Sequence, residues 1–212
     1  MYAKVLKRLF GFLLSLGMLT VLSPLLLVLT ITGAAAMKGN PFFTQARPGR
    51  HEKIFRLITF RSMTNEKGPD GKLLPDSQRL KPYGRFLRAS SLDELPELFN
   101  ILLGQMALVG PRPLLVQYLP YYTEAEKHLH DVRPGLTGLA QVNGRNLIGW
   151  DERLRYDTEY VKHITFTGDL RILLKTLRKV FTHEDLAVDT DTAETYLDEE
   201  RRGALHDQSI RD

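Results

Sequence analysis

The longest uncharged segment of the chain, Leu9–Met37, restricts the fold more than any other feature. It contains 29 consecutive residues without Asp, Glu, Lys or Arg. A straight helix of that length would extend about 43 Å, whereas the hydrocarbon layer of a bilayer is about 30 Å thick. The segment is also longer than the apolar part of a cleaved signal peptide. We therefore predict that it is embedded in a membrane. The cations that flank it are Lys4, Lys7, Arg8 and Lys38.

Ser23 and Pro24 lie in the middle of this segment and predict a break in it. Proline has no N–H for the carbonyl four residues earlier, and its ring collides with the preceding turn. The Ser23 hydroxyl can donate to a carbonyl that Pro24 leaves without a partner. Two topologies stay open: a kinked helix that spans the membrane, and a re-entrant helix-break-helix whose ends share one face. Cations at both ends fit the second, since cytoplasmic flanks collect lysine and arginine.

Charge is distributed unevenly along the chain. The formal net charge is +4 over 212 residues, but residues 189–212 carry −5, which leaves +9 for residues 1–188. A basic body attracts anionic lipid headgroups and phosphorylated substrates, and the acidic end is typical of a solvated tail. Nucleic acid is not an expected partner, because the chain lacks zinc-finger spacing, an RNP motif and a lysine-rich arm. Cysteine is absent, which excludes disulfides and thiolate metal sites.

Two adjacent carboxylates, Asp93 and Glu94, lie in the segment Ser91–Pro96, where a helix is predicted to begin. The partial positive charge of a helix N-terminus keeps such carboxylates ionised at neutral pH. Arg88 precedes the pair, and Arg112 follows in a turn bracketed by prolines. An ionised aspartate among guanidinium groups suits attack on a phosphoryl group, because arginine binds phosphate oxygens in bidentate fashion. The alternative is a helix-capping box between the serine and Glu94 that takes no part in chemistry.

The rest of the body is predicted to be mostly helical. Alternating apolar residues over 53–63 predict one or two strands, after a turn with two cations at 44–50. Three glycines and little periodicity over 135–145 predict a shaped loop that can approach a ligand closely. No two histidines have the spacing of a helical zinc site. Helices are predicted over 92–103, 114–122, 124–130, 150–162 and 169–181.

Several short segments, taken in order along the chain, carry a family resemblance. They are Ser23-Pro24, Phe43–Gly49, Phe60–Met63, Leu87–Asn100, Gly110–Pro113, Arg133–Gly138 and Gln141–Arg145, followed by Asp157 and Tyr160. This ordered set resembles the bacterial sugar transferase family, the monotopic phosphoglycosyl transferases. It covers about residues 1–181, and the likeness is greatest to the small members that transfer phospho-diacetylbacillosamine.

The resemblance implies a transferase that moves a sugar-1-phosphate from a UDP-sugar to undecaprenyl phosphate and releases UMP. The sugar would be N-acetylated and similar to diacetylbacillosamine. Asp93 would attack the β-phosphorus and form a covalent aspartyl-phosphosugar intermediate, so that donor and lipid need not bind together. Glu94 would assist it, and the two carboxylates would hold Mg²⁺ against the diphosphate. The residues expected to contact phosphate and nucleotide are Arg88, Arg112, Arg145, Arg61 and Gln141.

One strand departs from the pattern of the small relatives. Thr59 and Ser62 occupy the positions that are lysine and threonine in the Lys-Phe-Lys-Thr-Met pattern of those proteins. If that lysine binds phosphate in the relatives, this chain must use Arg61 or another cation in its place.

The resemblance also favours the re-entrant topology, in which membrane lipids surround the N-terminal segment. The predicted fold is α-rich α+β. It comprises a re-entrant membrane helix-break-helix over residues 1–40, a compact and mostly helical catalytic domain with a small strand element over 41–188, and an acidic tail over 189–212. The expected location is the inner membrane, with the catalytic domain on the cytoplasmic face and downstream glycosyltransferases as further partners. Three alternatives stay open: a non-catalytic membrane scaffold for glycan assembly, a hydrolase that uses water as the acceptor, and a bitopic protein.

Overall fold

The computed structural model describes residues 2–144, 148–182 and 196–202. These ranges are rich in helix and contain two small two-stranded sheets, in agreement with the predicted α+β class. The helices are α1 Lys7–Val21, α2 Ser23–Met37, α3 Asp76–Arg79, α4 Pro82–Ala89, α5 Glu97–Leu102, α6 Glu124–Lys127, α7 Leu139–Val142, α8 Trp150–Lys162 and α9 Phe166–Thr182. The strands are β1 Phe42–Pro48, β2 Ile54–Phe60, β3 Ala107–Val109 and β4 Gly135–Thr137. A π-helical turn covers Tyr2–Leu6, and 3-10 turns cover Arg50–Glu52, Leu92–Glu94, Val116–Tyr121 and His128–Asp131.

The predicted break in the apolar segment is present, because α1 and α2 meet at Leu22 with a bend of 65°. Pro24 has no N–H to donate to the carbonyl of Thr20, and the Ser23 hydroxyl donates to that same oxygen at 2.8 Å. Taken singly, none of the helices in the described ranges has the length and hydropathy needed to cross a membrane. The bent pair of α1 and α2 meets both requirements when it is taken together.

β1 and β2 form an antiparallel hairpin in which Phe42 pairs with Phe60 and Pro48 pairs with Ile54. The alternation over 53–63 therefore predicts β2 correctly. The turn predicted over 44–50 is wrong for most of its length, because residues 44–48 extend as β1 along β2. The proline and glycine that indicated a turn lie at the end of this strand, where the hairpin reverses.

The second sheet is parallel and brings two distant glycine-rich segments together. Ala107 of β3 lies opposite Gly135 of β4, and Val109 lies opposite Thr137. A Cβ on Gly135 would lie 2.1 Å from the backbone nitrogen of Gly110, so this close approach requires glycine. The prediction of a loop over 135–145 is wrong for the residues that form β4 and α7. These two elements are too short to show a period in the sequence.

The C-terminal part of the body follows the predicted helices closely, and the middle follows them less well. α8 matches the helix predicted over 150–162, and α9 begins at Phe166, ahead of the predicted 169. The helix predicted over 114–122 is instead the 3-10 turn that contains Pro120, which cannot donate to a helical ladder. The helix predicted over 124–130 is divided between α6 and the 3-10 turn His128–Asp131.

α5 lies at the centre of the domain, with Leu98 and Ile101 fully buried. α1 packs along α5, and the Arg8 guanidinium donates to the carbonyls of Ile101 and, at 2.8 Å, Leu102. The last carbonyls of a helix have no partner within the helix and carry partial negative charge, so a cation stabilises them. The start of the apolar segment is therefore fixed to the C-terminal end of α5.

A second set of polar contacts joins the start of the apolar segment to α8 and α9. Lys7 forms an ion pair of 2.5 Å with Asp169 of α9 and also donates to the Tyr160 hydroxyl of α8. The Tyr160 hydroxyl in turn donates to Asp169 at 2.7 Å, and its oxygen lies 3.2 Å from the carbonyl oxygen of Val109. Tyr160, one of the residues in the family resemblance, therefore ties β3, α9 and α1 to one another.

Part of the acidic C-terminal segment is packed against the body, so the prediction of a solvated tail is wrong for residues 196–202. A helix over 197–202 buries Leu197 completely. Arg201 donates to the two carboxylate oxygens of Glu126 at 2.6 and 2.8 Å and to Asp151 at 2.9 Å. The net negative charge of this segment predicts that most of it is solvated. Leu197 and Arg201 are exceptions, because both have specific partners on the domain.

Candidate active site

The carboxylates Asp93 and Glu94 lie on the 3-10 turn Leu92–Glu94 that precedes α5. Ser91 has a left-handed backbone (φ 54°) and makes no side-chain capping bond, which excludes the capping-box alternative. Pro96 follows the turn and precedes the first residue of α5. The helical start predicted near Asp93 is present as this 3-10 turn, and Leu95 and Pro96 keep helical backbone angles, whereas the regular α-helix starts only after Pro96. The two carboxylates are held by a tight turn on the route between α4 and α5.

Arg112 is brought to these carboxylates by the turn that follows β3. Its Nη2 donates to Oε1 of Glu94 at 3.1 Å, and both side chains remain partly open to solvent. The prolines on either side of Arg112 fix their own φ angles and restrict the turn. The backbone N–H of Arg112 donates to Oδ2 of Asp157 at 3.2 Å. The side chain and the main chain of Arg112 are therefore both fixed.

Asp157 has a positioning role beneath this turn. It lies on α8 and is only 3% exposed. Burial raises the pKa of its carboxyl group to about 7, although N–H groups of Arg112 and Ala140 and the charge of Arg153 favour the ionised form. Asp157 is one of the residues that carry the family resemblance. The structure gives a physical reason for an aspartate at this position, because its carboxylate orients the turn that contains Arg112.

Arg88 approaches from the C-terminal half of α4. Its Nε donates to the hydroxyl of Ser62 at 3.0 Å, and its positive charge lowers the pKa of Asp93. α4 packs closely on the Ser62 segment, because a Cβ on Gly84 would lie 1.8 Å from the Ser62 carbonyl oxygen. Ser62, one of the two departures from the pattern of the small relatives, is therefore the anchor of a predicted phosphate-binding arginine.

The protonation of Asp93 differs from the sequence prediction. Burial, followed by the negative charge of Glu94, raises its pKa to about 7, and the positive charges of Arg88 and Arg112 offset only part of this. Asp93 is therefore less fully ionised at neutral pH than the field of a helix N-terminus alone would make it. Because α5 begins beyond Pro96, Asp93 lies outside the strongest part of the helix field. A pKa near the operating pH is common for groups that take part in catalysis.

Sequence reasoning missed two charged residues of this site. Glu97, the first residue of α5, is 5% exposed, and burial followed by the charge of Glu94 raises its pKa well above the usual range. Arg47 of β1 has its pKa lowered to about 10 by burial and by the neighbouring charge of Arg112. Glu97 follows Asp93 by four residues, a spacing that could have indicated it. Arg47 was interpreted as a turn cation, because β1 was not recognised.

The remaining predicted contacts are placed differently. Arg61 donates to the carbonyls of Asn40 and Phe42 and to the Asn65 side chain, and in the described ranges it forms no ion pair with the two carboxylates. Gln141 is 6% exposed; its amide nitrogen donates to the Leu136 carbonyl, whereas its oxygen has no partner within the described part of the chain. Arg145 lies outside the described residues.

The two carboxylates suit Mg²⁺ only together with a substrate. In the described residues, no group of three or more His, Asp or Glu side chains could hold a metal ion. Mg²⁺ commonly binds one or two carboxylates and fills its other positions with water and substrate phosphate oxygens. Asp93 and Glu94 provide such a pair, and Arg112 contacts only one oxygen of Glu94. The donor set therefore fits a metal ion that is bound jointly with a diphosphate.

The site therefore combines adjacent carboxylates with neighbouring arginines, in a domain fixed to a bent apolar helix pair. Residues 2–183 match the model of the family described as bacterial sugar transferase, and the chain belongs to that family. It is 48% identical over 183 residues to the uncharacterized sugar transferase EpsL of Bacillus subtilis, covering 86% of this chain and 90% of that protein.

Two longer relatives have more specific names. The chain is 38% identical to the undecaprenyl-phosphate galactose phosphotransferase of Salmonella typhimurium, covering 86% of this chain and 42% of that protein. It is 37% identical to the UDP-glucose:undecaprenyl-phosphate glucose-1-phosphate transferase of Klebsiella pneumoniae, covering 85% of this chain and 41% of that protein. The chain therefore spans less than half the length of these two relatives.

Proposed function

We propose that the protein transfers a sugar-1-phosphate from a UDP-sugar to undecaprenyl phosphate, releasing UMP in the first membrane step of glycoconjugate assembly. The observation that carries the proposal is the placement of Asp93 beside the Glu94–Arg112 ion pair in a member of the sugar transferase family. The relatives from Salmonella typhimurium and Klebsiella pneumoniae are named for such transfers to undecaprenyl phosphate. An idle scaffold has no need of a buried aspartate with a pKa near 7 among arginines.

The proposed reaction has two steps, and Asp93 is the nucleophile in the first. A carboxylate oxygen of Asp93 forms a bond to the β-phosphorus of the UDP-sugar, while the bond from that phosphorus to the bridging oxygen breaks and UMP leaves with the electron pair. A phosphate oxygen of undecaprenyl phosphate then attacks the same phosphorus. The bond to Asp93 breaks, which restores the carboxylate and leaves undecaprenyl diphosphate sugar.

The neighbouring residues hold the phosphates and adjust the charge of Asp93. Arg88 and Arg112 bind phosphate oxygens and favour the reactive ionised form of Asp93. Glu94 keeps Arg112 oriented at 3.1 Å and, with Asp93, would hold Mg²⁺. When bound, Mg²⁺ would neutralise charge that develops on the diphosphate. Glu97 and Arg47 lie in the same electrostatic cluster, and we infer that they balance its charge.

The membrane arrangement proposed here is re-entrant and monotopic, with the catalytic domain on the cytoplasmic face of the inner membrane. The 65° bend between α1 and α2 and the cations at both ends of the pair support it. α9 adds a stripe of exposed apolar side chains that can rest in the interface. This stripe consists of Phe166, Leu170, Leu174 and Leu177. Such an arrangement would keep Asp93 within reach of a lipid phosphate.

The donor sugar is a separate proposal. The resemblance to the small diacetylbacillosamine enzymes supports an N-acetylated sugar, whereas the names of two relatives contain glucose and galactose. A donor panel must therefore include UDP-glucose, UDP-galactose, UDP-N-acetylglucosamine and UDP-diacetylbacillosamine.

The deciding experiment measures UMP release by the full chain in mild detergent with Mg²⁺, for each donor, with and without undecaprenyl phosphate. We expect turnover with lipid for one donor. Without lipid we expect at most one equivalent of UMP, together with a protein mass increase equal to that of the phosphosugar. Asp93→Asn should abolish both signals, whereas Asp70→Asn, a change of the same kind in an exposed loop, should not.

Each alternative has its own signature in this experiment. Turnover by the Asp93→Asn variant would contradict a covalent intermediate on that residue. Release of free sugar phosphate in place of a lipid product would indicate a hydrolase. Binding of a UDP-sugar without UMP release, for every donor in the panel, would favour the scaffold.

A further inference from the structure

A cavity of about 680 Å³ lies beside the start of α1, at the opposite end of α5 from Asp93 and Glu94. Its volume is within the range of small-molecule sites. Neither Asp93 nor Glu94 lines it, and its walls come from α1, the end of α5, β3, α8 and the loop before β4. Five cations line it: Lys7, Arg8, Arg50, Arg133 and Lys162.

Most of this positive charge has no acidic partner in the structure. Lys7 is neutralised by Asp169, but the other four cations form no ion pair with any carboxylate of the described ranges. Asp131 also lines the cavity, and its carboxylate lies 2.8 Å from Nδ1 of His128. The cavity therefore has a net positive charge.

The cations of the cavity are close enough to repel one another. Burial and the positive charges of Arg8 and Arg50 lower the pKa of Arg133. Arg8 and Arg133 are nevertheless held in place by backbone carbonyls, since Arg8 donates to Leu102 and Arg133 to Gly104 at 2.7 Å. Like charges fixed together without a counterion destabilise a fold, and a bound anion relieves that cost.

The position of the cavity indicates where the anion comes from. Arg8 lines it and directly precedes Leu9, the first residue of the uncharged segment. Phe10, which follows Leu9 in the uncharged segment, and Phe166 are exposed, with ring centroids 6.2 Å apart, and offer an apolar surface for acyl chains. We propose that this cavity binds the phosphate of an anionic phospholipid headgroup. The bound lipid would fix the depth and orientation of the domain at the membrane surface.

Native mass spectrometry of the full chain in detergent micelles tests this without donor sugar or turnover. The probes are phosphatidylglycerol and phosphatidylcholine at equal mole fractions. We expect one phosphatidylglycerol to be retained and phosphatidylcholine to be lost. The double variant Arg50→Gln/Lys162→Gln should bind phosphatidylglycerol roughly 25-fold more weakly, or about fivefold for each cation removed. Both side chains are exposed, and the melting temperature of the variant checks that it remains folded.

Two control variants make the result specific to the cavity. Lys67→Gln/Lys72→Gln removes the same charge from an exposed loop and should retain the lipid. Arg112→Gln should also retain it, because Arg112 belongs to the candidate active site. Equal weakening in both double variants would overturn the proposal, as would loss of the lipid in Arg112→Gln. Displacement of phosphatidylglycerol by an equal concentration of inorganic phosphate would overturn the assignment to a lipid.

Discussion

The hydroxyl of Ser62 accepts a hydrogen bond from Nε of Arg88 at 3.0 Å. This contact joins the segment after β2 to the arginine whose charge favours the ionised form of Asp93. Ser62 also lies where α4 approaches most closely, at Gly84. A residue that departs from the pattern of the small relatives thus positions a guanidinium group of the candidate active site.

Ser62→Ala should lower kcat/KM for the UDP-sugar about five- to tenfold, because a hydrogen bond of this kind contributes about 1 kcal/mol. Ser62→Thr keeps the hydroxyl and should restore most of the activity. Steady-state UMP release, together with the pH profile of each variant, measures the effect. If the alanine and threonine variants lose activity equally, the hydroxyl does not position Arg88.

Arg112→Gln should reduce kcat at least about 100-fold, as the loss of one preorganised charged donor commonly does. Arg112→Lys should recover little, because lysine cannot make the bidentate contact of a guanidinium group. Arg155→Gln is the matched control, since Arg155 is exposed and its ion pair is with Glu152 on the same helix. Single-turnover UMP release would separate a loss of chemistry from a loss of lipid binding. Wild-type kcat in Arg112→Gln would remove Arg112 from the mechanism.

Asp157 should make the stability of the protein depend on pH. Its pKa is raised to about 7 in the folded state, so the folded protein binds a proton that the unfolded chain has released. Stability from this group is therefore present at low pH and is lost as the pH rises through 7. Between pH 6 and pH 8 the free energy of unfolding should fall by an amount on the order of 1 kcal/mol from Asp157 alone.

Asp157→Asn keeps an oxygen acceptor for the Arg112 N–H and removes the titration. Denaturant unfolding at pH 6, 7 and 8 should therefore show a weaker pH dependence for the variant than for the wild type. The buried groups Asp93 and Glu97 have raised pKa values too and should retain part of the dependence. An identical pH dependence in both proteins would contradict the role assigned to Asp157.

The parts of the fold that the sequence predicts are those with a clear local period or a backbone constraint. α8 and α9 are long enough to show an apolar stripe, and Pro24 breaks the apolar segment wherever it folds. β3 and β4 pair with each other across a long separation in sequence, and each is only three residues long. No local pattern identifies such strands.

The candidate site shows the same division. Asp93, Glu94, Arg88 and Arg112 were predicted together, and the structure brings them together. The raised pKa of Asp93 could not be predicted, because it depends on burial, which the tertiary structure determines. The position of Arg61 also depends on the tertiary structure. Its guanidinium group donates to backbone carbonyls around β1 and therefore does not contact the two carboxylates.

Pro24→Ala should allow residue 24 to donate its N–H to the Thr20 carbonyl, which Ser23 now satisfies. A straighter helix over this region would be long enough to span the bilayer. The chain has no cysteine, so a single Tyr2→Cys change gives a unique label site in a membrane preparation. In the parent, we expect the cysteine at position 2 to be labelled from the cytoplasmic face. With Pro24→Ala, we expect a fraction of the molecules to be labelled at this position from the opposite face.

The matched control for this topology measurement is Ser23→Ala, which keeps the proline and should keep the parent labelling. A Lys72→Cys label reports the side of the membrane on which the catalytic domain lies in each background. Labelling of Tyr2→Cys in the parent only from the opposite face to Lys72→Cys would replace the re-entrant topology with a spanning helix.

Arg201 should be the main attachment of the C-terminal helix to the domain. Its guanidinium group pairs with Glu126, and both side chains are mostly buried, at 16% and 12% exposure. Arg201→Gln leaves the Glu126 carboxylate without its cation. Removing one partner of a fully buried pair costs about 3–5 kcal/mol, and a smaller loss is expected here because both side chains keep some exposure. Arg202→Gln is the control, since Arg202 is 67% exposed and its pair with Asp198 contributes less than about 1 kcal/mol. Thermal unfolding of the two variants, with limited proteolysis near residue 196, measures the difference. If both variants unfold and are cleaved like the wild type, the contacts of Arg201 do not hold the C-terminal helix.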